Sequence, residues 1–288
     1  MSKLISIVIP LYNGSKNISK CIDSILNQNI ANYEVVLVDN NSTDNSKKII
    51  MNYCNKDKRI KYVFEKNKSR GAARNKGIKK AKGYVVLMTD IDCIVPKNWI
   101  RDMTNNIINK KENAVLGFEK EFRKSYWNTS MIRANKNHIR RIVKNGYVNH
   151  IDTKNFAIRS DIIKKNNFNT ELKAMEDFDL YLRMKKKIKI KYNPRVMVIH
   201  NHNYNLREVF MTNIERGYWT TYIYYKYNDK KLGTELMTQW TKANKFLLML
   251  RYFIHRIIDE KSKFFFIVSN LGWFLGVNYY KIKRFFLR

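Results

Sequence analysis

Two aspartates separated by one isoleucine, Asp90-Ile91-Asp92, follow an apolar run at 83–88. Carboxylates so spaced after a buried strand can hold a divalent cation that also binds phosphate oxygens, and Mg²⁺ or Mn²⁺ suits oxygen ligands of this kind. The bland alternative is a strand-end turn, where Asp is common for backbone reasons. His200 and His202 flank Asn201 just beyond an apolar stretch at 196–199, and a pair of imidazoles there could add metal ligands. Glu176-Asp177-Phe178-Asp179 opens a helical stretch. Acidic residues in a first turn suit the helix dipole, yet the same carboxylates could act as a general base toward a hydroxyl. Asp39 ends another apolar run. It could accept hydrogen bonds from a nucleotide base or ribose, or open the polar cluster 40–44 that caps the next helix. Arg70-Gly71-Ala72-Ala73-Arg74-Asn75 lies before or within a helix start. Backbone N–H groups and guanidinium forks favour anions there, and a solvated basic face is the other reading.

These residues need elements to position them. Residues 4–11, 34–38, 60–64 and 83–88 are short runs rich in Val, Ile and Leu, as expected of parallel strands covered on both faces. Between them, 17–28 place Ile18, Cys21, Ile22 and Ile25 on one helical face, a second helix carries Ile49, Ile50 and Tyr53, and 72–81 read as a third. Such alternation predicts βαβ units and a mainly parallel sheet flanked by helices. The polar clusters at 12–14, 39–44 and 89–92 then fall at the carboxyl ends of strands, where ligands of these sheets bind. Residues 101–200 are more mixed, with helices near 98–110 and 177–186 and strands near 114–122 and 154–158. Beyond 206 the pattern turns helical and aromatic.

The chain has 288 residues, enough to bury a sizeable core, and a formal charge of +32. Lys and Arg in such excess first suggest nucleic acid. The excess is +10 over 1–100, +13 over 101–199 and +9 over 200–288, so no stripe or arm emerges. Its 39 Lys and 35 Asn fit an A/T-rich codon bias as well as a binding face. A hydrophobic content of 44% excludes a disordered basic tail. Three widely spaced cysteines exclude a disulfide framework. Residues 4–11 are too short for a secretory signal and lack its basic start and cleavage site.

Taken in order, the blocks resemble family 2 glycosyltransferases. They are Ser6-Ile7-Val8-Ile9-Pro10-Leu11-Tyr12-Asn13, then 34–44 from Glu34 to Asp44, then Arg70-Gly71-Ala72-Ala73-Arg74-Asn75-Lys76-Gly77. Asp90-Ile91-Asp92, Asn155-Phe156-Ala157-Ile158-Arg159 and Glu176-Asp177 complete the series. The resemblance runs to about Trp219 and implies the Rossmann-like GT-A fold with inverting, metal-dependent transfer from a nucleotide diphosphate sugar, commonly a UDP-sugar. By the same resemblance Pro10, Tyr12 and Asp39 would hold the nucleotide, with Arg74 near it or its phosphates. Asp90 would face the nucleotide sugar. Asp92 would coordinate Mn²⁺ or Mg²⁺ together with His200, His202 standing close behind. Asp177 would be the base, with Glu176 shaping the acceptor site. The segment 166–171, from Asn166 to Glu171, departs from the family's frequent Gly-Gly-Phe-Asp-Glu, and Lys187 stands at a frequent Gly. Both departures bear on the acceptor, expected to be a cell-surface glycan or lipid-linked saccharide.

This assigns 1–205 to a catalytic domain, with 1–92 its nucleotide-binding half and 93–205 its acceptor half. Residues 206–288 form a helical, aromatic-rich extension. Within it, 264–280 hold twelve apolar residues with basic residues on both sides. The stretch is slightly short for a spanning helix, which needs about 20 apolar residues. Lys261, Lys263, Lys281, Lys283 and Arg284 around it suit an interfacial helix on anionic lipid. A cytoplasmic protein peripheral on the inner membrane face is the expectation. A helix folded onto the rest of the chain is the alternative. Gly272 and Gly276 would permit close helix packing, in a membrane or a dimer. No nucleic acid is expected as a partner and an oligomer is left open. The competing readings are a basic nucleic-acid-binding protein and a nucleotidyltransferase on the same fold.

Overall fold

The computed structural model describes residues 3–227 and 260–286. In chain order the elements are β1 (Ile5–Leu11), α1 (Ile18–Leu26), β2 (Tyr33–Asp39), α2 (Ser46–Lys56), β3 (Ile60–Phe64), α3 (Arg70–Lys80) and β4 (Val85–Met88). There follow β5 (Cys93–Ile94), α4 (Trp99–Asn109), β6 (Ala114–Glu121), α5 (Tyr126–Ile142), β7 (Val143–Lys144), β8 (Tyr147–Val148), β9 (Phe156–Arg159) and α6 (Ser160–Ile163). Then come α7 (Glu176–Met184), β10 (Ile190–His200), α8 (Leu206–Tyr227) and α9 (Lys263–Phe286). By compactness the chain divides in two. Met1–Arg123, Asn135–Leu172 and Glu176–His202 form one unit; Lys124–Ala134, Lys173–Met175 and Asn203–Arg288 form the other.

In the first unit the described strands make one mixed sheet, ordered β3-β2-β1-β4-β9-β6-β10-β8-β7, with β5 attached to β10. The β3-β2-β1-β4 half is parallel, as the βαβ pattern predicts. β9 enters antiparallel between β4 and β6. Alternation along each strand feeds two cores. Ile5, Ile7, Ile9, Val35, Leu37 and Leu87 face α1, α2 and α4, through Ile22, Ile50 and Trp99. Val8, Val36, Val38, Val86 and Met88 face α3 and α7, through Ala73, Ile78 and Leu180. A strand buried on both sides has no solvent face to alternate with, which is why these runs read as continuously apolar. Each fully buried Val, Leu or Ile contributes about 1.5–3 kcal/mol.

Several elements differ from the sequence reading: β5, β7, β8 and α6 had no counterpart there, and β10 runs well beyond the apolar stretch at 196–199. The helix α5 likewise had no counterpart, because Arg133, Lys136, Arg140 and Arg141 interrupt its apolar positions. Ser125 nonetheless marks its start, its Oγ accepting the Asn128 N–H at 3.1 Å. The strand expected from 154 begins instead at Phe156, after a turn at Thr153–Asn155. That turn is capped by the Asp152 carboxylate, which accepts the Lys154 N–H at 3.1 Å.

In the second unit α8 and α9 run side by side. A Cβ at Gly272 would strike the Phe210 carbonyl, and one at Gly276 the Ile214 carbonyl, so both positions require glycine for the backbones to approach. The spacing thus serves a contact within the chain. Aromatic pairs extend the contact, with Tyr218 5.6 Å from Tyr279 and Tyr225 5.9 Å from Tyr280 between ring centroids. Met131, Val209, Phe265, Phe266 and Val268 form a small core of its own. No described helix is long and apolar enough to cross a membrane. The helical pattern at 228–259 lies outside the described residues.

Candidate functional site

The parallel strands β1, β2 and β4 deliver their polar ends to one edge of the sheet. Pairing of β1 with β4 stops at Val8 and Met88, so Pro10 lies beyond the shared ladder, where its missing N–H costs nothing. Tyr12 is 51% exposed, with the Lys68 ammonium 5.3 Å from its ring centre. Asp39 is buried, its Oδ1 accepting from the Ser42 N–H at 2.9 Å and its Oδ2 from the Tyr62 hydroxyl at 3.0 Å. Burial and the neighbouring Asp39 push the Tyr62 hydroxyl up to about 12, which keeps it a donor. The loops after β1 and β2 are knitted together. Asn13 N–H donates to Ser42 Oγ and Ser15 N–H to Asp44 Oδ2, at 2.9 and 3.0 Å. Asn13 and Asn41 take positive φ of 50° and 64°, which Asn tolerates better than most residues.

Asp90 and Asp92 leave β4 in different directions. Asp92 is carried to His200 by β5, whose Cys93 pairs with His200 across an antiparallel bridge to β10. His200 Nε2 stands 3.3 Å from Asp92 Oδ2, and His202 Nδ1 4.0 Å from the same oxygen. The two imidazoles are stacked at 5.5 Å. One ligand atom from each of Asp92, His200 and His202 lies within 4.8 Å of the others, a separation that fits a single metal ion. Burial alone would lift Asp92, but His200 beside it holds it below the usual carboxylate range. Burial works against charge on His200, and the carboxylates of Asp92 and Glu119 beside it overcome that, raising the imidazole to about 9. A proton held between carboxylates is what a bound cation would displace.

Asp90 turns instead to Arg74. The guanidinium of Arg74, 3% exposed, bridges Asp90 at 3.1 Å and Glu176 at 2.7 Å. Its charge meets the buried carboxylate of Glu176 and the half-buried one of Asp90. Its Nε is buried without a hydrogen-bond partner. Ser69 caps α3, its Oγ accepting the Ala72 N–H at 3.4 Å, which sets where Arg74 emerges. The segment containing the family departure holds the other side. Phe168 lies under the guanidinium at 5.7 Å and exchanges hydrogen bonds with Asn75 at 2.8 and 2.9 Å.

Asp177 sits one residue on from Glu176 at the start of α7. Its Oδ2 accepts both the N–H and the hydroxyl of Thr153 at 3.1 Å, whereas its Oδ1 is buried with no hydrogen-bond partner. Burial, opposed by Arg74 and reinforced by the negative charges of Glu176 and Asp152, pushes Asp177 up to about 7. A carboxylate with that proton affinity and one unengaged oxygen is suited to accept a proton near neutrality. Met175, just before the acidic pair, takes φ 66°, a conformation costly for a side chain of this kind.

The fold therefore gathers Arg74, Asp90 and Glu176 in one ion-paired set and Asp92, His200 and His202 in another. Pro10, Tyr12 and Asp39 lie along the ends of the neighbouring strands. Three contributors escaped the sequence reading: Tyr62 on Asp39, Thr153 on Asp177, and Glu119, which faces His200 from β6. Only Thr153 carried a local signal, as the neighbour of the block beginning at Asn155. Asn155 itself is structural: its amide donates to the Phe118 and Val196 carbonyls at 2.8 and 3.0 Å and accepts from Trp99 at 2.9 Å.

Residues 6–166 match the family model described as Glycosyl transferase family 2. Over 118 residues the chain is 39% identical to "Glycosyltransferase GlyG" of Streptococcus pneumoniae serotype 4, a stretch covering 41% of this chain and 39% of that protein. The chain thus spans well under two thirds of that relative. Among solved structures it is similar to mannosyltransferase PcManGT from Pyrobaculum calidifontis in complex with GDP-Man and Mn²⁺. The TM-score is 0.73 at 14% identity, covering 97% of this chain and 87% of that one. S. aureus TarS 1-349 in complex with UDP-GlcNAc gives a TM-score of 0.55 at 15% identity, covering 97% and 92%. Such likeness shows a shared fold, the GT-A arrangement expected from the sequence.

Proposed function

The chain belongs to glycosyl transferase family 2, and from that premise we propose that it is a metal-dependent, inverting sugar transferase. Its donor in this reading is a nucleotide diphosphate sugar, a UDP-sugar first. Its acceptor is a hydroxyl of a cell-surface glycan or lipid-linked saccharide. The observation that carries the reading is the pairing of a metal-competent trio, Asp92, His200 and His202, with a carboxylate, Asp177, that keeps one buried oxygen unengaged. Nucleotide sugars in the complexes of PcManGT and TarS support the donor class.

In this reading Tyr12 offers an exposed ring to a base, Pro10 shapes the strand end, and Asp39, oriented by Tyr62 and Ser42, accepts from the nucleoside. Asp90 faces the sugar, held by Arg74, which also fixes Glu176 at the acceptor side. Asp92, His200 and His202 would hold the metal. One carboxylate with two imidazoles favours Mn²⁺ over the oxygen-seeking Mg²⁺. When bound, the ion supplies positive charge where negative charge develops on the departing diphosphate. Asp177 Oδ1 takes the proton of the acceptor hydroxyl as its oxygen attacks the anomeric carbon from the face opposite the leaving group. A hydrolysis screen over UDP- and GDP-sugars tests the reading. Nucleotide diphosphate should appear from one or a few donors with Mn²⁺ and fall to background in EDTA. Release from none of them would sink it.

For α9 the proposal is peripheral attachment to an anionic membrane face. Phe264, Ile267, Leu271, Phe274, Leu275 and Ile282 are exposed at helical spacing, with Lys263, Lys281, Lys283 and Arg284 at the two ends. Apolar side chains at that spacing can enter the acyl boundary while the basic ones meet lipid phosphates. The chain should pellet with phosphatidylglycerol vesicles, less so as salt rises, and stay soluble with phosphatidylcholine. Ile267→Glu, Leu271→Glu and Leu275→Glu combined should abolish pelleting; undiminished pelleting would refute the assignment.

A further inference from the structure

We infer that Glu119 is a positioning residue for the metal site, orienting His200 so that Nε2 is the atom presented to the ion. The inference rests on the reading of Asp92, His200 and His202 as metal ligands, and it adds a residue and a geometric reason for ranking His200 above His202.

The argument starts from register. β6 and β10 run parallel with Glu119 opposite Val198. Residues two apart on a strand share a face, so Glu119 and His200 project to the same side from neighbouring strands. Glu119 is 5% exposed, an expensive place for a carboxylate without partners. Its Oε1 accepts from Asn135 Nδ2 at 2.6 Å. Its Oε2 lies 3.2 Å from Lys154 Nζ and 3.2 Å from His200 Nδ1. That oxygen makes no well-aligned hydrogen bond in this structure, so it retains acceptor capacity on the side of the ring. Lys154, anchored also on Asp152 at 3.1 Å, holds the carboxylate in place.

An imidazole has two nitrogens, and the partner of one decides what the other can do. An Nδ1–H kept toward Glu119, 3.2 Å away, makes Nε2 the nitrogen that gives up its proton to an incoming cation, and Nε2 is the atom beside Asp92 at 3.3 Å. A carboxylate behind the distal nitrogen fixes ring orientation and raises ligand strength. His202 is placed differently. Its side chain is 39% exposed against 10% for His200, and it approaches Asp92 only to 4.0 Å. The geometry therefore makes His200 the principal nitrogen ligand and His202 the accessory one. An ion pair of Glu119 with Lys154 for stability alone would leave metal affinity untouched.

The test is a calorimetric titration of the full chain with Mn²⁺ alone, without nucleotide. Glu119→Gln is expected to weaken Mn²⁺ binding by about 10–100-fold. His200→Ala should weaken it at least as much, and the double variant should bind no worse than His200→Ala, because Glu119 acts only through that ring. Thermal unfolding in EDTA reports whether each variant folds. If Glu119→Gln does not fold, Glu119→Asp keeps the charge beside Lys154 while withdrawing it from the ring, and should still bind Mn²⁺ more weakly. Wild-type affinity in the folded Glu119 variants, with affinity lost in His200→Ala, would overturn the positioning role and leave the metal reading intact. The same holds for a further loss in the double variant. If the unaltered chain fails to bind Mn²⁺, or Asp92→Asn and His200→Ala bind it normally, the metal reading falls and this inference with it.

Discussion

Asp177→Asn is expected to reduce sugar transfer by about 10²–10⁴-fold, the usual worth of a positioned proton acceptor, while donor binding persists. The amide keeps the shape of the carboxylate, so its oxygen can still accept from Thr153, whose N–H and hydroxyl both reach Asp177 Oδ2 at 3.1 Å. What it cannot do is take a proton. Steady-state transfer alongside calorimetry with donor and Mn²⁺ separates the two effects, and near-normal turnover would refute the assignment. The pH profile gives a second check. A base works only when deprotonated, so kcat/KM should rise with pH through a limb near 7, the value to which burial and its acidic neighbours push Asp177. Removing the charge of Glu176 by Glu176→Gln takes away one cause of that elevation, and the limb should then move to lower pH. A limb unmoved in that variant would assign the titration to another group.

Arg74→Ala should cost about 3–5 kcal/mol of folding stability, the penalty typical of removing one partner from a buried ion pair. The reason is what it strands. Glu176 is 5% exposed and Asp90 shares the same guanidinium, so deletion strands the Glu176 carboxylate in a low-dielectric interior and leaves the half-buried Asp90 only the weaker pull of Lys154 and His200. Burial already raises the proton affinity of Asp90 against the opposing pull of Arg74. Adding Glu176→Gln to the Ala variant removes one stranded charge and should recover part of the loss. Urea denaturation of the single and double variants measures both. A midpoint for Arg74→Ala within error of the parent chain would show that the buried pairing contributes little. Arg74→Lys should fall between, because one ammonium cannot span two carboxylates as a planar fork does.

Much of this architecture was legible along the chain, because the information was local. Burial on both faces makes β1, β2 and β4 read as apolar runs. Facing only one core makes α1 read as Ile18, Cys21, Ile22 and Ile25 at helical spacing. Strand ends in a parallel sheet must carry the ligand chemistry, so Asp39, Asp90 and Asp92 were found where apolar runs stop. The helix α5 was missed because its basic residues break the apolar spacing.

What the chain could not reveal by itself was which groups meet. His200 and Asp92 are 108 residues apart, joined by a two-residue strand too short to leave a pattern. Arg74 and Glu176 are separated by 102 residues, and their pairing makes Arg74 a clasp between two carboxylates. Glu119 looked like any charged residue near a strand end, until parallel pairing of β6 with β10 set it behind an imidazole. Residue types and local spacing thus determined the family, the fold class and the candidate carboxylates, since strand and helix periodicities are short-range properties. The tertiary structure alone decided the partners, because charge pairing in a low-dielectric interior depends on distances that only strand register and chain crossover define.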